Sequence, residues 1–197
     1  MLTRFLAAIL FIILVPLFVL LSIAIIITSG RPVLFLQKRV GQGGKNFCMF
    51  KFRTMMQNAH REKIRWQRDN PKLWAEYEAN NFKLKDDYRV TKLGGFLRKT
   101  SLDELPQLIN IIKGEMSFVG PRPILLREKK YYGADFKYYA KLKPGVTGLW
   151  QVSGRSSTTF KERVKYDVSY AKQKSLWFDL KIILKTIYVV LFCKNSL

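Results

Sequence analysis

The sequence of 197 residues is poor in side chains that bind transition metals or form disulfides, with one histidine and two cysteines. Cys48 and Cys193 lie far apart in the chain, and His60 stands alone in a polar stretch. Because zinc sites need clustered His and Cys ligands, the sequence indicates no zinc site. The same scarcity indicates no disulfide framework and suits a reducing compartment.

Acidic residues are also scarce, since 14 Asp and Glu stand against 35 Lys and Arg, for a formal net charge of +21. A surface this basic predicts a polyanionic neighbour, namely an anionic membrane, a phosphorylated substrate or nucleic acid. Neither GxxxxGK[ST] nor GxGxxG occurs, so the sequence favours neither a P-loop nor a Rossmann nucleotide site.

One long apolar run is present near the N-terminus, because residues 5–27 contain no charged side chain. At about 1.5 Å per residue, a helix of this length can cross a bilayer. Pro16 lies near its middle, where proline kinks or breaks a helix. Two arrangements therefore fit: a kinked single span, or a hairpin that turns at Val15-Pro16 and leaves through the same leaflet. Basic residues on both flanks favour two cytoplasmic ends: Arg4, Arg31, Lys38 and Arg39.

The segment that follows predicts a small antiparallel hairpin, with VLFLQKRV and FCMFKFRTM as strands and GQGGKN as the turn. Lys51 and Arg53 alternate with apolar residues of the second strand and are expected on one face. The apolar side of the hairpin is expected to consist of Val33, Phe35, Phe47, Met49, Phe50 and Phe52.

Residues 57–88 form a charged segment that predicts a helical insertion, with Pro71 at the first position of a helix. A mobile, solvated excursion is the alternative. Helical spacing places five residues on a packed face: Trp66, Leu73, Trp74, Tyr77 and Phe82.

The segment TSLDELPQLIN places adjacent carboxylates, Asp103 and Glu104, at the predicted start of an amphipathic helix that ends at Lys113. Ser101 and Glu104 resemble a capping box. A helix N-terminus favours acids, lowers an Asp pKa and presents N–H groups to phosphate. The pair therefore fits two compatible roles: a helix cap, or a carboxylate nucleophile or Mg²⁺ ligand acting on a phosphoryl group.

Arginines lie on loops that glycine or proline defines. Arg98 comes shortly before the acidic pair, Arg122 lies between prolines in GPRP, and Arg155 follows Gly154 in SGR. A guanidinium pairs with two phosphate oxygens at once, and a stiff backbone holds it in place. The three arginines together indicate anion binding.

Four motifs occur in order: KFRTM, LRKTSLDELPQLINIIKGEMSFVGPRP, KPGVTGLWQVSGR and DVSYAKQKSLWFDLKIILKT. Together they closely resemble the bacterial sugar transferases, the monotopic phosphoglycosyl transferases. The resemblance implies transfer of a sugar 1-phosphate from a UDP-sugar to undecaprenyl phosphate, with release of UMP, to initiate surface glycan synthesis. It also implies a ping-pong reaction through a phosphosugar on Asp103, with Glu104 assisting in proton and metal handling and Mg²⁺ held at Asp103.

The resemblance also bears on the remaining site residues and on the donor. Arg122 and Arg155 match family arginines, and Asp167 matches an acidic family position. The insertion and the SGR segment are similar to those of members that handle galactose or glucose, so a UDP-hexose is the expected donor. The predicted residues that bind substrate or phosphate are Lys51, Arg53, Arg98, Arg122, Arg155 and Asp167.

The implied fold is α+β and begins with a re-entrant membrane helix–break–helix over residues 1–30. Pro16 matches the break, although Val15 stands where a Ser often precedes the proline. A mostly helical cytoplasmic catalytic domain follows over residues 31–197 and contains the small antiparallel β-hairpin. Larger members carry membrane spans and a linker domain before this unit. The functions of those parts, including any dimer contact, are not inferred for this chain.

Residues 175–193 are apolar but interrupted by Asp179, Lys181 and Lys185, which predicts an amphipathic helix at the membrane interface. Trp177 and Tyr188 are then expected at headgroup depth, and a packed core helix is the alternative.

The expected partners are a UDP-sugar, undecaprenyl phosphate and anionic lipid of the bacterial inner membrane, with no nucleic acid and an open oligomeric state. Two rival interpretations are a membrane-anchored basic protein that binds anionic lipid or nucleic acid, and an enzyme of the same fold that uses another nucleotide donor.

Overall fold

A computed structural model describes residues 1–79, 84, 86–154 and 158–192. The chain within these ranges is mostly helical, with two small two-stranded sheets. The α-helices are α1 Leu2–Ser29, α2 Ala59–Asp69, α3 Pro71–Ala79, α4 Lys92–Lys99, α5 Gln107–Lys113, α6 Phe136–Ala140, α7 Leu149–Ser153, α8 Phe160–Gln173 and α9 Leu176–Phe192. The strands are β1 Leu34–Val40, β2 Asn46–Phe52, β3 Ser117–Val119 and β4 Gly145–Thr147, and 3₁₀ turns cover Gln42–Gly44, Leu102–Glu104 and Leu126–Asp135.

Helix α1 is one element of 28 residues that continues through Pro16. Among the described residues, it is the helix whose length and apolar composition suffice to cross a membrane. The predicted interruption at Pro16 is absent, and the re-entrant arrangement is therefore not confirmed. Leu14 and Leu17, which flank the proline, both pack against hydrophobic clusters of the rest of the chain.

One face of α1 packs on the rest of the chain along most of its length. The inward residues recur every three or four positions, the spacing of a single helical seam; they are Ala7, Phe11, Leu14, Phe18, Leu21 and Ile25. The N-terminal half contacts Leu108 and Ile111 of α5, and the C-terminal half contacts Phe52 and Leu97. The other faces of the helix expose apolar side chains.

The predicted hairpin is confirmed, since β1 and β2 pair antiparallel from Leu34 opposite Phe52 to Val40 opposite Asn46. Phe47 and Met49 are buried against α1 and α5, whereas Phe52 is buried on the opposite face against the other half of α1. The expectation for Phe35 was wrong, because this ring is 50% exposed. A two-stranded sheet buries only the residues that neighbouring elements cover, and Phe35 packs in none of the hydrophobic clusters of the described residues.

The segment between the hairpin and α4 forms α2 and α3, and Pro71 is the first residue of α3 as the sequence predicts. Trp66 and Tyr77 are buried, and the Arg89 guanidinium lies 4.1 Å from the centroid of the Trp66 ring. This packing favours a helical insertion over a solvated excursion. Leu73 and Trp74 are half-buried, and Phe82 lies outside the described residues.

A short parallel pairing of β3 with β4, which the sequence did not predict, joins two motifs that are distant in the chain. It brings residues 120–123, the GPRP loop, against the segment that contains Gly145. A Cβ atom at Gly145 would lie 2.1 Å from the backbone nitrogen of Gly120. Only glycine permits this approach, which fixes the GPRP loop in place.

Helix α9 confirms that the C-terminal apolar segment is helical. Ile182 is buried against Val119, Val152 and Tyr170. Most other apolar residues of the helix are exposed, which does not fit a packed core helix; the exposed ones are Leu176, Trp177, Leu180, Ile183, Leu184, Ile187, Tyr188, Val190 and Phe192.

Candidate active site

The two adjacent acids lie on the 3₁₀ turn between α4 and α5. Helix α5 begins only at Gln107, with Pro106 as its N-cap, and ends at Lys113 with Gly114 in a left-handed conformation, as predicted. The capping box was wrong, because Ser101 has a φ of 58° and its side chain makes no cap hydrogen bond. Asp103 and Glu104 therefore precede the helix, and their carboxylates are available for other partners.

The partner of both acids is Lys51 on β2. Its Nζ donates a hydrogen bond to Glu104 Oε1 at 2.6 Å and lies 3.5 Å from Asp103 Oδ2. The Asp103 residue is only 8% exposed, so this ion pair is largely shielded from solvent. The strand and the turn thus place one ammonium between two carboxylates.

The position of Lys51 is fixed by a side chain that links β2 to α5. Asn110 is fully buried, accepts a hydrogen bond from the backbone N–H of Phe50 and donates to the backbone oxygen of Cys48. Its amide also donates to Glu115 Oε2. The amide pairs with the edge of β2 as another strand would, and it holds the strand that carries Lys51 against the helix that follows the acids.

The two acids differ in their titration. Burial raises the pKa of the Asp103 carboxyl above its ordinary value, and the charges of Lys51 and Arg98 offset only part of this effect. This direction is opposite to the one expected for a helix N-terminus, because desolvation outweighs the favourable charges. For Glu104 burial also raises the pKa, but Lys51, Arg122 and Arg39 outweigh it and hold the pKa below its ordinary value.

A cavity of about 10 Å³ lies beside Glu104, which is room for one water-sized group. Three cationic side chains and one carboxylate line it, so its surroundings are positive overall. Its polar lining residues are Arg39, Lys51, Glu104, Gln107, Arg122 and Gln151.

Arg122 lines this cavity and also interacts, through its backbone and its charge, with a second buried acid, Asp167. Its guanidinium lies 5.1 Å from the centroid of the Trp150 ring. Behind the GPRP loop, Asp167 accepts a hydrogen bond from the Tyr132 hydroxyl at 2.5 Å. Burial raises the pKa of Asp167 to about 7, although Tyr132, Arg163 and Arg122 each lower it. Asp167 is thus close to the site but does not line the cavity.

The remaining predicted residues take different positions. Arg98 interacts electrostatically with Asp103, and its Nε donates to Thr54 Oγ1 at 2.9 Å. Arg53 follows β2 and donates to the backbone oxygen of Arg31 at 3.0 Å, away from the acids. Arg155 lies outside the described residues. The structure therefore brings together Lys51, Asp103, Glu104, Arg122 and Arg98.

Sequence reasoning assigned Arg39 only to the flank of the membrane segment and missed it as a site residue. The sequence pattern could have indicated Arg39, because residues that lie opposite one another in a hairpin share a face, and Lys51 was already a predicted site residue. Arg39 pairs with Phe47 and Phe35 with Lys51, and residues 35, 37 and 39 therefore share the face of Lys51.

Magnesium is commonly held by one or two carboxylates together with substrate phosphates and water. The part of the chain that the structure describes contains no cluster of three or more His, Cys, Asp or Glu side chains. The carboxylates of the neighbouring residues Asp103 and Glu104 therefore fit Mg²⁺ only in combination with a phosphate group and water, not as a complete set of protein ligands.

Comparison with known proteins adds to this geometry. The family model described as Bacterial sugar transferase matches residues 1–193. A UDP-galactose-lipid carrier transferase of Erwinia amylovora is 47% identical over 178 residues, which are 90% of this chain and 37% of that protein. An undecaprenyl-phosphate galactose phosphotransferase of Salmonella typhimurium is 48% identical over 163 residues, 83% of this chain and 34% of that protein.

A shorter relative is matched over most of its length. The exopolysaccharide production protein ExoY of Sinorhizobium fredii is 43% identical over 181 residues, which are 92% of this chain and 80% of that protein. The chain therefore spans about a third of the Erwinia and Salmonella proteins and most of ExoY.

Proposed function

Because the chain belongs to the bacterial sugar transferase family, we propose that it transfers a sugar 1-phosphate from a UDP-sugar to undecaprenyl phosphate and releases UMP. The observation that carries this proposal is the buried carboxylate of Asp103 beside Lys51 and a positively charged cavity. The names of the Erwinia and Salmonella relatives specify galactose, which supports a UDP-hexose as donor. The name of ExoY specifies exopolysaccharide production, which supports a surface glycan as the destination.

The proposed reaction has two displacement steps at one phosphorus atom. In the first, a carboxylate oxygen of Asp103 attacks the β-phosphorus of the UDP-sugar, and the bond from that phosphorus to the bridging oxygen of UMP breaks. In the second, a phosphate oxygen of undecaprenyl phosphate attacks the same phosphorus, and the bond to Asp103 breaks. A soluble donor and a lipid acceptor then need not be bound together.

The environment of Asp103 suits a nucleophile. A carboxylate made more basic by burial is more reactive once ionised, and Lys51 favours its ionised form at neutral pH. Lys51 and Arg122 can neutralise charge on the diphosphate as UMP leaves. Glu104 holds Lys51 beside Asp103. Mg²⁺, held by Asp103 and Glu104 with substrate phosphates, would supply further charge neutralisation.

We further propose a monotopic arrangement, with both ends of α1 and the catalytic domain on the cytoplasmic side of the inner membrane. Near one end of α1, Arg4 Nε donates to the backbone oxygen of Ile112 at 2.7 Å. Near the other end, Ile25 is buried in the cluster that contains Phe52 and Leu97. A perpendicular span would carry one end away from this domain, so contacts at both ends support a helix that does not cross the bilayer and has both ends on one side.

The decisive experiment uses Asp103→Asn in purified protein with UDP-galactose, UDP-glucose and undecaprenyl phosphate. We expect the substitution to abolish UMP release while the protein stays folded and membrane-bound. With the wild-type protein and donor alone, intact mass should increase by one sugar phosphate, and the variant should show no increase. Unchanged turnover in the variant would refute the assigned nucleophile and favour a membrane-anchored binding protein or another chemistry.

A further inference from the structure

Arg39 is a buried cation whose hydrogen bonds are incomplete. It is 8% exposed, its Nη1 donates to the backbone oxygen of Pro123 at 3.1 Å, and its Nη2 donates to Gln37 Oε1 at 2.6 Å. Its Nε is also buried and has no acceptor among the described residues. A buried, charged N–H without an acceptor costs free energy of folding, and in native proteins such a group is commonly explained by a bound ligand, ion or water.

The surroundings of Arg39 favour an anionic acceptor. Arg39 lines the small cavity together with Lys51, Arg122 and Glu104, and Glu104 is already paired with Lys51. Burial lowers the pKa of Arg39 to about 10, and repulsion from Arg122 adds to this effect. The cavity has room for one oxygen atom of a larger group.

We propose that Arg39 binds the diphosphate of the donor, by donating its Nε–H to a non-bridging phosphoryl oxygen that enters the cavity between Arg39, Lys51 and Arg122. This inference rests on the proposed function, because it takes the UDP-sugar as the ligand. It adds a binding residue from β1 to those of the GPRP loop and β2. The hydrogen bonds of Nη1 to Pro123 and of Nη2 to Gln37 leave Nε as the guanidinium nitrogen without an acceptor among the described residues.

A purely structural role for Arg39, in which it only supports the GPRP loop, makes a different prediction. Arg39→Lys keeps the positive charge but loses the fixed fork of the guanidinium. If Arg39 contacts phosphate, this substitution weakens binding of ligands that carry phosphate and spares a ligand that lacks it. If Arg39 only supports the fold, both classes of ligand are affected equally, or neither is.

The test measures binding of UDP and of uridine to protein that also carries Asp103→Asn, which prevents turnover. We expect Arg39→Lys and Arg39→Gln to weaken UDP binding about 10-fold or more, the effect of one charge-assisted hydrogen bond. Uridine binding should change less than about 2-fold and reports that the site is still folded. The control is Lys38→Gln, which removes an exposed charge from the adjacent position of β1.

The outcomes separate the two proposals. UDP affinity within about 2-fold of the parent in both Arg39 variants would overturn the role of Arg39 and leave the proposed function standing. An equal loss of UDP and uridine affinity would also overturn it, in favour of a structural role. If the Asp103→Asn parent binds no UDP and the wild-type protein releases no UMP from any UDP-sugar, the proposed function fails and the role of Arg39 fails with it.

Discussion

Lys51 Nζ lies 2.6 Å from Glu104 Oε1, and this ion pair joins the β-hairpin to the turn that carries both acids. Lys51→Met should lower the rate of UMP release about 10²–10³-fold, since it removes the ammonium closest to Asp103 and to the cavity. The measurement is steady-state UMP release from a UDP-sugar. Lys45→Met, which removes an exposed charge from the turn of the same hairpin, should change the rate less than about 3-fold. Equal rates in the two variants would contradict a role for Lys51.

Asn110→Ala should destabilise the protein by about 2–4 kcal/mol, because it leaves the Phe50 N–H and the Cys48 carbonyl without their partner. The measurement is urea unfolding in detergent, followed by circular dichroism. The matched control is Asn58→Ala, because Asn58 is exposed and its side chain makes no cap hydrogen bond on α2. A loss no greater than that of the control would show that the Asn110 amide does not hold β2.

Much of the local structure follows from sequence pattern, because it depends on neighbours along the chain. The hairpin, the start of α3 at Pro71 and the end of α5 at Gly114 each depend on turn or cap residues within a few positions. The exposed faces of α9 follow in the same way from apolar residues interrupted by charges. The acidic pair could be predicted as a candidate site because its motif is local.

What the sequence could not provide depends on contacts between distant segments. The capping box failed because Lys51, 53 positions before Glu104, takes that carboxylate as its partner. The predicted lowering of the Asp103 pKa was wrong, because burial depends on the packed structure and here outweighs the local charges. The parallel pairing of β3 and β4 joins segments separated by a long stretch of chain, and it carries no periodic signal in strands this short.

The buried Asp167 predicts a pH-dependent stability. Its folded pKa is about 7 against an ordinary value of 3.8, so between these pH values the folded state holds a proton that the unfolded state has lost. The contribution of this group is therefore greatest below pH 4, decreases as pH rises to 7, and is constant above. The full change is at most about 4 kcal/mol. Tyr132, Arg163 and Arg122 are the groups that face it.

Asp167→Asn tests this dependence, because it keeps an acceptor for the Tyr132 hydroxyl but removes the ionisable group. We expect the midpoint of thermal unfolding of the wild-type protein to fall between pH 5 and pH 7 relative to that of the variant. Above pH 7 the two curves should run parallel. Curves that are parallel over the whole range would mean that Asp167 has an ordinary pKa in the folded protein.

The orientation of α1 predicts which side of the membrane each end of the chain reaches. In the proposed arrangement both ends of α1 and the domain lie on the cytoplasmic side, and Arg4 near one end contacts Ile112. A cysteine introduced near Met1 should then react only from the cytoplasmic side. A label at Leu197 should behave in the same way. The measurement compares a membrane-impermeant maleimide on intact and permeabilised cells, in a background without the native cysteines. Labelling of either position in intact cells would rule out the one-sided arrangement.

The exposed apolar face of α9 predicts that this helix contacts lipid in addition to α1. Trp177 is 65% exposed on that face, whereas Trp66 and Trp150 are buried within the domain. Brominated lipid quenches indole fluorescence only at close approach, so in vesicles of brominated anionic lipid Trp177 should account for most of the quenching. Trp177→Phe should therefore abolish most of it, while Trp74→Phe, which alters a half-buried ring on α3, should leave it intact. Equal quenching in the wild-type protein and in Trp177→Phe would mean that α9 faces water or another protein, and the domain would then depend on α1 and on its positive charge for membrane attachment.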